Sequence, residues 1–428
     1  MIKKISLTFF GSILLSASVS AQMYQQKMST FLNLIDNYYV KDVNVDSLVE
    51  FGMKQMLKQL DPHSVYMNAD EIKKANEPLE GNFEGVGIQF QIYNDTIQVV
   101  HVIAGGPSKK VGVQDGDKII FVDTAKVAGI GINNDGVFKA LRGKKGTKVN
   151  IRVKRFGSPE LLAFEIIRDK IPIYAIGAQY MATPDIGYVK LERFSATATE
   201  ETQKAIDSLK KEGAQKIILD LTGNGGGYLN QAHELSDLFL ANDKLVVYSE
   251  GRSQPRIDLT ATEKGNFEKG DLVIMVDQNT ASASEIVSGA VQDWDRGLIV
   301  GRRTYGKGLV QKGYMLPDLS AVRLTMAYYY TPSGRNIQKP YVKGADEYKE
   351  DIEERYESGE LFDSSKIKVV DSTKYYTNNK RIVYGGGGIT PDIFVGLDTL
   401  WHSNFYGKLV RSGSFNQFIL SYVDANRN

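Results

Sequence analysis

Cysteine is absent from this 428-residue chain. That absence excludes a disulfide, a thiolate nucleophile and a lipid-bearing cysteine, so the fold depends on its core alone. Histidine is scarce, with only His63, His101, His233 and His402 available as an imidazole base. Neither charge sign predominates. Lys and Arg total 52 against 51 Asp and Glu, which gives no indication of a nucleic-acid or anionic-membrane partner. The apolar run at the N-terminus, Ile5 to Leu15, falls short of the roughly 20 residues that cross a bilayer.

That short run is still informative. Lys3 and Lys4 precede it, and small residues ending in Val19-Ser20-Ala21 follow it. A basic start, a brief apolar stretch and an A-x-A-like end predict a secretory signal over 1–21, cleaved after Ala21. No stable membrane span is expected afterwards, and the compartment implied is an exported one, the periplasm.

With 42% apolar and 24% charged residues, the remainder has ordinary globular composition, and its length implies two or three domains. Residues 22–79 read as a helical region. Phe31, Leu32, Leu34 and Ile35 form one apolar stripe, and Leu48, Phe51, Met53, Met56 and Leu60 form another. Asp61-Pro62 stops the second helix. Residues 80–168 change character: short β-rich runs alternate with turns, among them Gln114-Asp115-Gly116-Asp117, which describes a small, mostly β module. Residues 169–340 alternate strand and helix patterns, predicting a sheet covered by helices with ligand sites at the strand C-terminal ends. Residues 341–384 are a charged insertion whose Asp346–Glu360 run reads as a solvated helix or a mobile segment. Residues 385–400 close the core, and 401–428 form a C-terminal extension.

Three segments of the α/β region carry chemistry. In Thr280-Ala281-Ser282-Ala283-Ser284-Glu285, Ser282 and Glu285 match a capping box at a helix start. Most serines there only cap. The position is nevertheless suited to acyl transfer, because unpaired N–H groups beside the hydroxyl, such as that of Ala283, can bind an oxyanion. Asp220 to Leu229, with Gly223, Gly225, Gly226 and Gly227, follows a buried strand; its backbone N–H groups can line a ligand site, cradle a phosphate or simply turn the chain. Gly301 to Gly308 resembles a P-loop, but Gly308 stands where Ser or Thr must hold magnesium, and Leu309-Val310-Gln311 looks extended rather than helical.

Ser282 needs a base. None of the four histidines falls in these segments, and His233, the one in the α/β core, lies on a helix stripe. Lys307 is the better candidate, since Ser–Lys pairs replace the usual triad in some hydrolases. A lysine near ~10.4 must fall to roughly 7–8 for this role, a change worth about 4 kcal/mol. Burial between apolar walls such as Leu309 and Leu298 would supply it. If 307–311 is extended, Gln311 lies on the same side and would orient the amine.

Ser282 to Ile286 together with Thr304-Tyr305-Gly306-Lys307-Gly308 and Val310-Gln311 resemble the signature of the C-terminal processing (tail-specific) serine peptidases. Lys307 follows Ser282 by 25 residues and Gln311 follows by four more, a spacing that selects Ser282 over Ser284. The resemblance covers about residues 25–340 and 385–395. It implies an α/β protease core with an inserted PDZ domain and an N-terminal helical segment. It assigns Ser282 as nucleophile, Lys307 as base and Gln311 as its orienting partner, with Gly226 or Gly227 and Ala283 donating to the oxyanion. Thr222 departs from the arginine usual at its position in the family.

The β module is similar to the family's PDZ domain. Gly85, Val86, Gly87 and Ile88 would receive a peptide C-terminus on their backbone N–H groups while the peptide adds a strand. Arg142 would couple that event to the protease core. The function implied is an ATP-independent serine endopeptidase acting on protein substrates through their C-terminal tails or unfolded state, with no metal and no cofactor. Homodimerisation through the N-terminal helices is compatible with the resemblance. A catalytically silent PDZ scaffold or holdase, and a nucleotide-dependent protein using the glycine loops, are the rival readings.

Overall fold

The fold was read from a computed structural model, which describes residues 5–263, 265–342, 344–398 and 403–426. Lys3 and Lys4 of the expected leader, and His402, lie outside those residues. A helix Ile5–Tyr38 runs through the expected cleavage point, and no helix among the described residues is long and apolar enough to cross a membrane.

The helix Val45–Lys58 begins at Asn44, whose side chain accepts the Ser47 N–H. After Asp61-Pro62 the chain forms a short strand, Val65–Met67, and a helix, Ala69–Glu80, closed at its N-terminus by an Asn68–Glu71 capping box. The next unit is a sheet ordered Ile88–Tyr93, Thr96–Val102, Lys118–Val122, Lys148–Lys154 and Leu162–Ile167. Strict alternation in Lys148–Lys154 sends Val149, Ile151 and Val153 into the core with Val99, Ile119 and Val137. Ile88–Tyr93 is an edge strand on this path, so its outer hydrogen-bonding groups can pair with an added strand.

The α/β core contains a six-stranded sheet ordered Ile176–Thr183, Ile186–Leu191, Lys216–Asp220, Leu272–Val276, Leu298–Gly301 and Ile393–Phe394. All its pairings from Ile186–Leu191 onward are parallel. Short apolar runs such as Ile217 to Leu219 and Leu272 to Val276 form these strands because both sheet faces are covered. The helix Ala283–Asp293 is buried on every side. Its small residues allow this, and Ser284 and Ser288 satisfy their hydroxyls on the carbonyls of Asn224 and Ser284, at 3.0 and 2.7 Å.

Ala321–Tyr330 does not join the parallel sheet; it pairs antiparallel with Leu309–Met315, Val65–Met67 and Leu245–Gly251 in a second sheet. The physical reason is its length and its partly exposed residues, which suit a sheet covered on one face rather than a doubly covered strand.

The insertion differs from its expected solvated character. Its helix Ala345–Glu357 is charged, yet Tyr348 and Arg355 are only 4% and 2% exposed, and Glu360 just beyond is 3% exposed. Tyr348, Asp351 and Arg355 recur at helical spacing on a polar stripe that faces the protease core, which an apolar-periodicity search does not register.

Candidate active site

The glycine loop, the serine and the lysine follow three adjacent parallel strands: Lys216–Asp220, Leu272–Val276 and Leu298–Gly301. All three loops therefore leave the sheet at its C-terminal edge, where strand ends diverge and leave room for a ligand. Ser282, Ala283, Lys307, Gln311, Gly226 and Gly227 line a single cleft of about 580 Å³. Its walls include Met67, Ile72, Leu79, Leu229 and Tyr329.

Ser282 sits at the N-cap of Ala283–Asp293 with φ 57° and ψ −115°. A side chain at that backbone conformation costs about 1–3 kcal/mol and persists only when its surroundings hold it. Here Glu285 does so. Its fully buried carboxylate accepts the Ser282 N–H at 2.8 Å, while the Glu285 N–H reaches the Ser282 carbonyl at 2.9 Å. The same carboxylate accepts the Thr304 hydroxyl at 2.5 Å, the Gly306 N–H at 2.7 Å and the Lys307 N–H at 2.9 Å. Burial pushes its pKa up, against those four donors, which favour the carboxylate.

Tyr329 forms the second bridge. Its buried hydroxyl donates to the carbonyls of Ser282 and Lys307 at 3.1 and 2.7 Å. The backbones of the serine and the lysine are thus joined through N–H groups by Glu285 and through carbonyls by Tyr329. The capping pattern contained a signal for half of Glu285's role; nothing in sequence spacing marked Tyr329.

The ammonium of Lys307 has no hydrogen bond and no salt bridge among the described residues. Burial holds its pKa below the ordinary lysine value, and the like charge of Arg323 adds to the depression; Glu285 and Asp61 oppose it. Leu309 is buried in the cleft wall as expected. Leu298 is not part of that wall: it is 45% exposed at the other end of its strand. No hydrogen bond joins the Ser282 hydroxyl to the Lys307 ammonium among the described residues.

Gln311 lines the cleft, but its side-chain amide donates to the His63 carbonyl at 2.7 Å, not to Lys307. A register shift between Val310 and Gln311 interrupts the simple alternation that had put the two side chains in one row. His63, which sequence reasoning set aside, therefore lies at the site. Its ring Nε2 pairs with the Tyr348 hydroxyl at 2.8 Å, and burial together with Lys307 lowers its pKa to about 4, leaving it neutral. His233 bonds the Thr260 carbonyl at 2.7 Å, and exposed His101 lies 3.5 Å from Asp115; neither lines the cleft.

The glycine loop distinguishes its two candidates. The Gly226 N–H is occupied by the Asn224 side-chain oxygen at 2.9 Å. The N–H groups of Gly227 and Ala283 have no backbone acceptor among the described residues. Gly226 packs so closely that a Cβ there would stand 2.9 Å from both the Ala283 nitrogen and the Ser282 Cβ. At Thr222, Lys190 from the neighbouring strand supplies a cation: its ammonium bonds the Thr222 hydroxyl at 2.8 Å and pairs with Asp220 at 3.2 Å.

In the β module, the carbonyls of Val86 and Gly87 are taken by the N–H groups of Ser108 and Ile103, at 3.0 and 3.1 Å. The Val86 and Gly87 N–H groups have no backbone acceptor among the described residues outside the strands. Gly85 lies against Arg142, with the Arg142 Cα 3.8 Å from where a Cβ would stand. Arg142 stacks on Phe83 and Phe138 and forms an ion pair with Glu77. Glu77 belongs to the helix Ala69–Glu80, whose Ile72, Asn76 and Leu79 line the cleft.

Among the described residues, no group of His, Asp and Glu side chains is arranged to hold a metal.

Comparison with known proteins agrees with this architecture. Residues 185–347 match the model of peptidase family S41, residues 85–166 that of the PDZ domain, and residues 15–71 that of the activating protease CtpB N-terminal domain. The chain is 33% identical over 362 residues to the carboxy-terminal processing protease CtpA of Bacillus subtilis, covering 84% of this chain and 74% of the relative. It is 34% identical to a carboxy-terminal-processing protease of Bartonella bacilliformis, covering 79% and 81%. A solved photosystem II D1 C-terminal processing protease aligns over 86% of each chain at 24% identity with a TM-score of 0.42. The chain, with its PDZ domain and N-terminal segment, belongs to the carboxy-terminal processing serine proteases of peptidase family S41.

Proposed function

We propose that this chain is an exported, ATP-independent endopeptidase that cleaves proteins presented by their C-terminal tails or unfolded state, using Ser282 and Lys307 through an acyl-enzyme. The observation that carries the reading is the convergence of Ser282, a buried unpaired Lys307 and the N–H groups of Gly227 and Ala283 on one cleft. Neutral Lys307 takes the Ser282 proton as Oγ attacks the scissile carbonyl. The Gly227 and Ala283 N–H groups receive the oxyanion, and Lys307 returns the proton to the leaving amine. Water then enters, loses a proton to Lys307 and attacks the acyl carbon, and Lys307 returns that proton to Ser282 Oγ as the carboxylic acid product leaves. Gln311 acts through the His63 carbonyl, holding the loop Asp61–Ser64 against the base rather than touching the amine.

Tail recognition falls to Gly85, Val86, Gly87 and Ile88, with the peptide added to the edge strand Ile88–Tyr93. Export rests on the leader pattern of residues 1–21, and a periplasmic location and homodimerisation belong to the same proposal. The test uses the full chain, an unfolded reporter with an apolar tail, and no nucleotide. Wild type should cleave it, while Ser282→Ala and Lys307→Arg should lose at least a thousandfold in kcat, because arginine cannot give up its proton. Equal cleavage by all three would sink the Ser–Lys mechanism; a requirement for ATP would favour the nucleotide reading.

A further inference from the structure

The loop Arg302–Gly308 that carries Lys307 has no regular secondary structure, so its buried backbone groups need partners from elsewhere. Its N–H groups at Gly306 and Lys307 are taken by Glu285, as described above. Three consecutive carbonyls, those of Arg303, Thr304 and Tyr305, are taken by the insertion, while those of Gly306, Lys307 and Gly308 accept from Lys339 and Tyr329. Arg355, 2% exposed on the helix Ala345–Glu357, donates through Nη1 to the carbonyls of Arg303 and Thr304 at 3.2 and 2.8 Å, and through Nη2 to that of Tyr305 at 3.3 Å. Asp351, one turn earlier, holds the guanidinium at 2.9 Å. Glu360 pairs with Arg303 through two bonds of 2.7 and 2.8 Å, both side chains buried.

We infer that Arg355 is a positioning residue for the proposed base: the insertion is a clamp that grips the carbonyl side of the lysine loop while Glu285 grips its amide side. This rests on the reading of Lys307 as base. A planar fork that reaches three consecutive carbonyls cannot be reproduced by an ammonium, whose three N–H groups all radiate from one nitrogen. Without the fork, three carbonyls lose their partner, the loop relaxes, and water reaches the lysine amine. The charged and titratable groups facing Lys307 are Arg323 from Ala321–Tyr330, Glu285 from the nucleophile helix, and Asp61 and His63 from the loop after Val45–Lys58. Those around Arg355 are Asp351, Glu360 and Arg303, with Lys339 bonded to Asp351 at 3.0 Å. Arg355→Lys keeps all these charges, so its effect on the base is geometric.

The experiment measures kcat against pH for the full-length wild type, Arg355→Lys and Lys307→Ala on the tailed unfolded reporter, with near-UV circular dichroism as the folding check. A neutral base makes kcat rise with pH. In Arg355→Lys the rising limb should move up by about one pH unit, giving roughly tenfold lower kcat near neutrality and recovery toward wild type in alkali. A folded variant whose kcat falls equally at all pH values, with the limb unmoved, would overturn the clamp. If Arg355→Lys does not fold, Asp351→Asn serves instead: it should shift the limb in the same direction by less, and an unmoved limb there is equally fatal. Wild-type turnover in Lys307→Ala would overturn the base reading itself, whereas an inert Lys307→Ala beside an unshifted Arg355→Lys would overturn the clamp alone.

Discussion

Replacing Ser282, the proposed nucleophile, by glycine should make the protein more stable than replacing it by alanine. Ser282 has φ 57° and ψ −115°, a region where a Cβ costs about 1–3 kcal/mol. Alanine retains that strain and glycine removes it. Glycine also frees the unfolded chain, a loss of about 0.5–1 kcal/mol. The net advantage of Ser282→Gly over Ser282→Ala is therefore about 0–2.5 kcal/mol, centred near ~1 kcal/mol, and both variants lack the hydroxyl, so its contacts cancel. In a domain of this size each kcal/mol moves Tm by about 2–4 °C. The assay is thermal unfolding of the two variants by circular dichroism at one pH and one scan rate. A glycine variant that melts at or below the alanine variant would refute the argument that strain is stored at the serine. An advantage of the expected size would mean that Glu285 and Tyr329 hold the backbone in a conformation serine alone would leave.

Glu285→Gln places amide hydrogens against some of the four donors that now converge on the carboxylate; it should destabilise by about 2–4 kcal/mol and lower kcat at least a hundredfold, measured by denaturant unfolding and reporter cleavage. Arg323→Gln removes a like charge that helps depress Lys307. The lysine pKa then rises, so the rising limb of kcat against pH should move upward; a downward shift would contradict the sign. Arg142→Ala breaks the ion pair to Glu77 between the proposed tail-binding loop and the cleft-lining helix. Turnover of tailed substrates should drop toward that of untailed ones, and unchanged turnover would remove Arg142 from the coupling path.

Much of this protein was legible in its sequence because the information is local. The strand runs Ile217 to Leu221 and Leu272 to Val276 announce buried parallel strands through continuous apolar residues. A Ser–x–x–Glu step announces a helix start, and the serine-to-lysine spacing of the family that the chain resembles points to Ser282 among neighbouring hydroxyls as the proposed nucleophile. The lack of cysteine and the shortage of histidine leave a lysine as the proposed base.

The tertiary structure decided which groups surround that lysine, because burial and hydrogen bonding belong to segments distant in the chain. His63, 248 positions from Gln311, and Arg355, 52 positions from Arg303, reach the site from regions whose patterns read as a helix stop and a solvated charge run. Leu298, apolar and adjacent in sequence, faces elsewhere. An inward-facing stripe of charge resembles an outward-facing one until the carbonyls it satisfies are in view; sequence periodicity records polarity, not which unpaired backbone groups a side chain will meet.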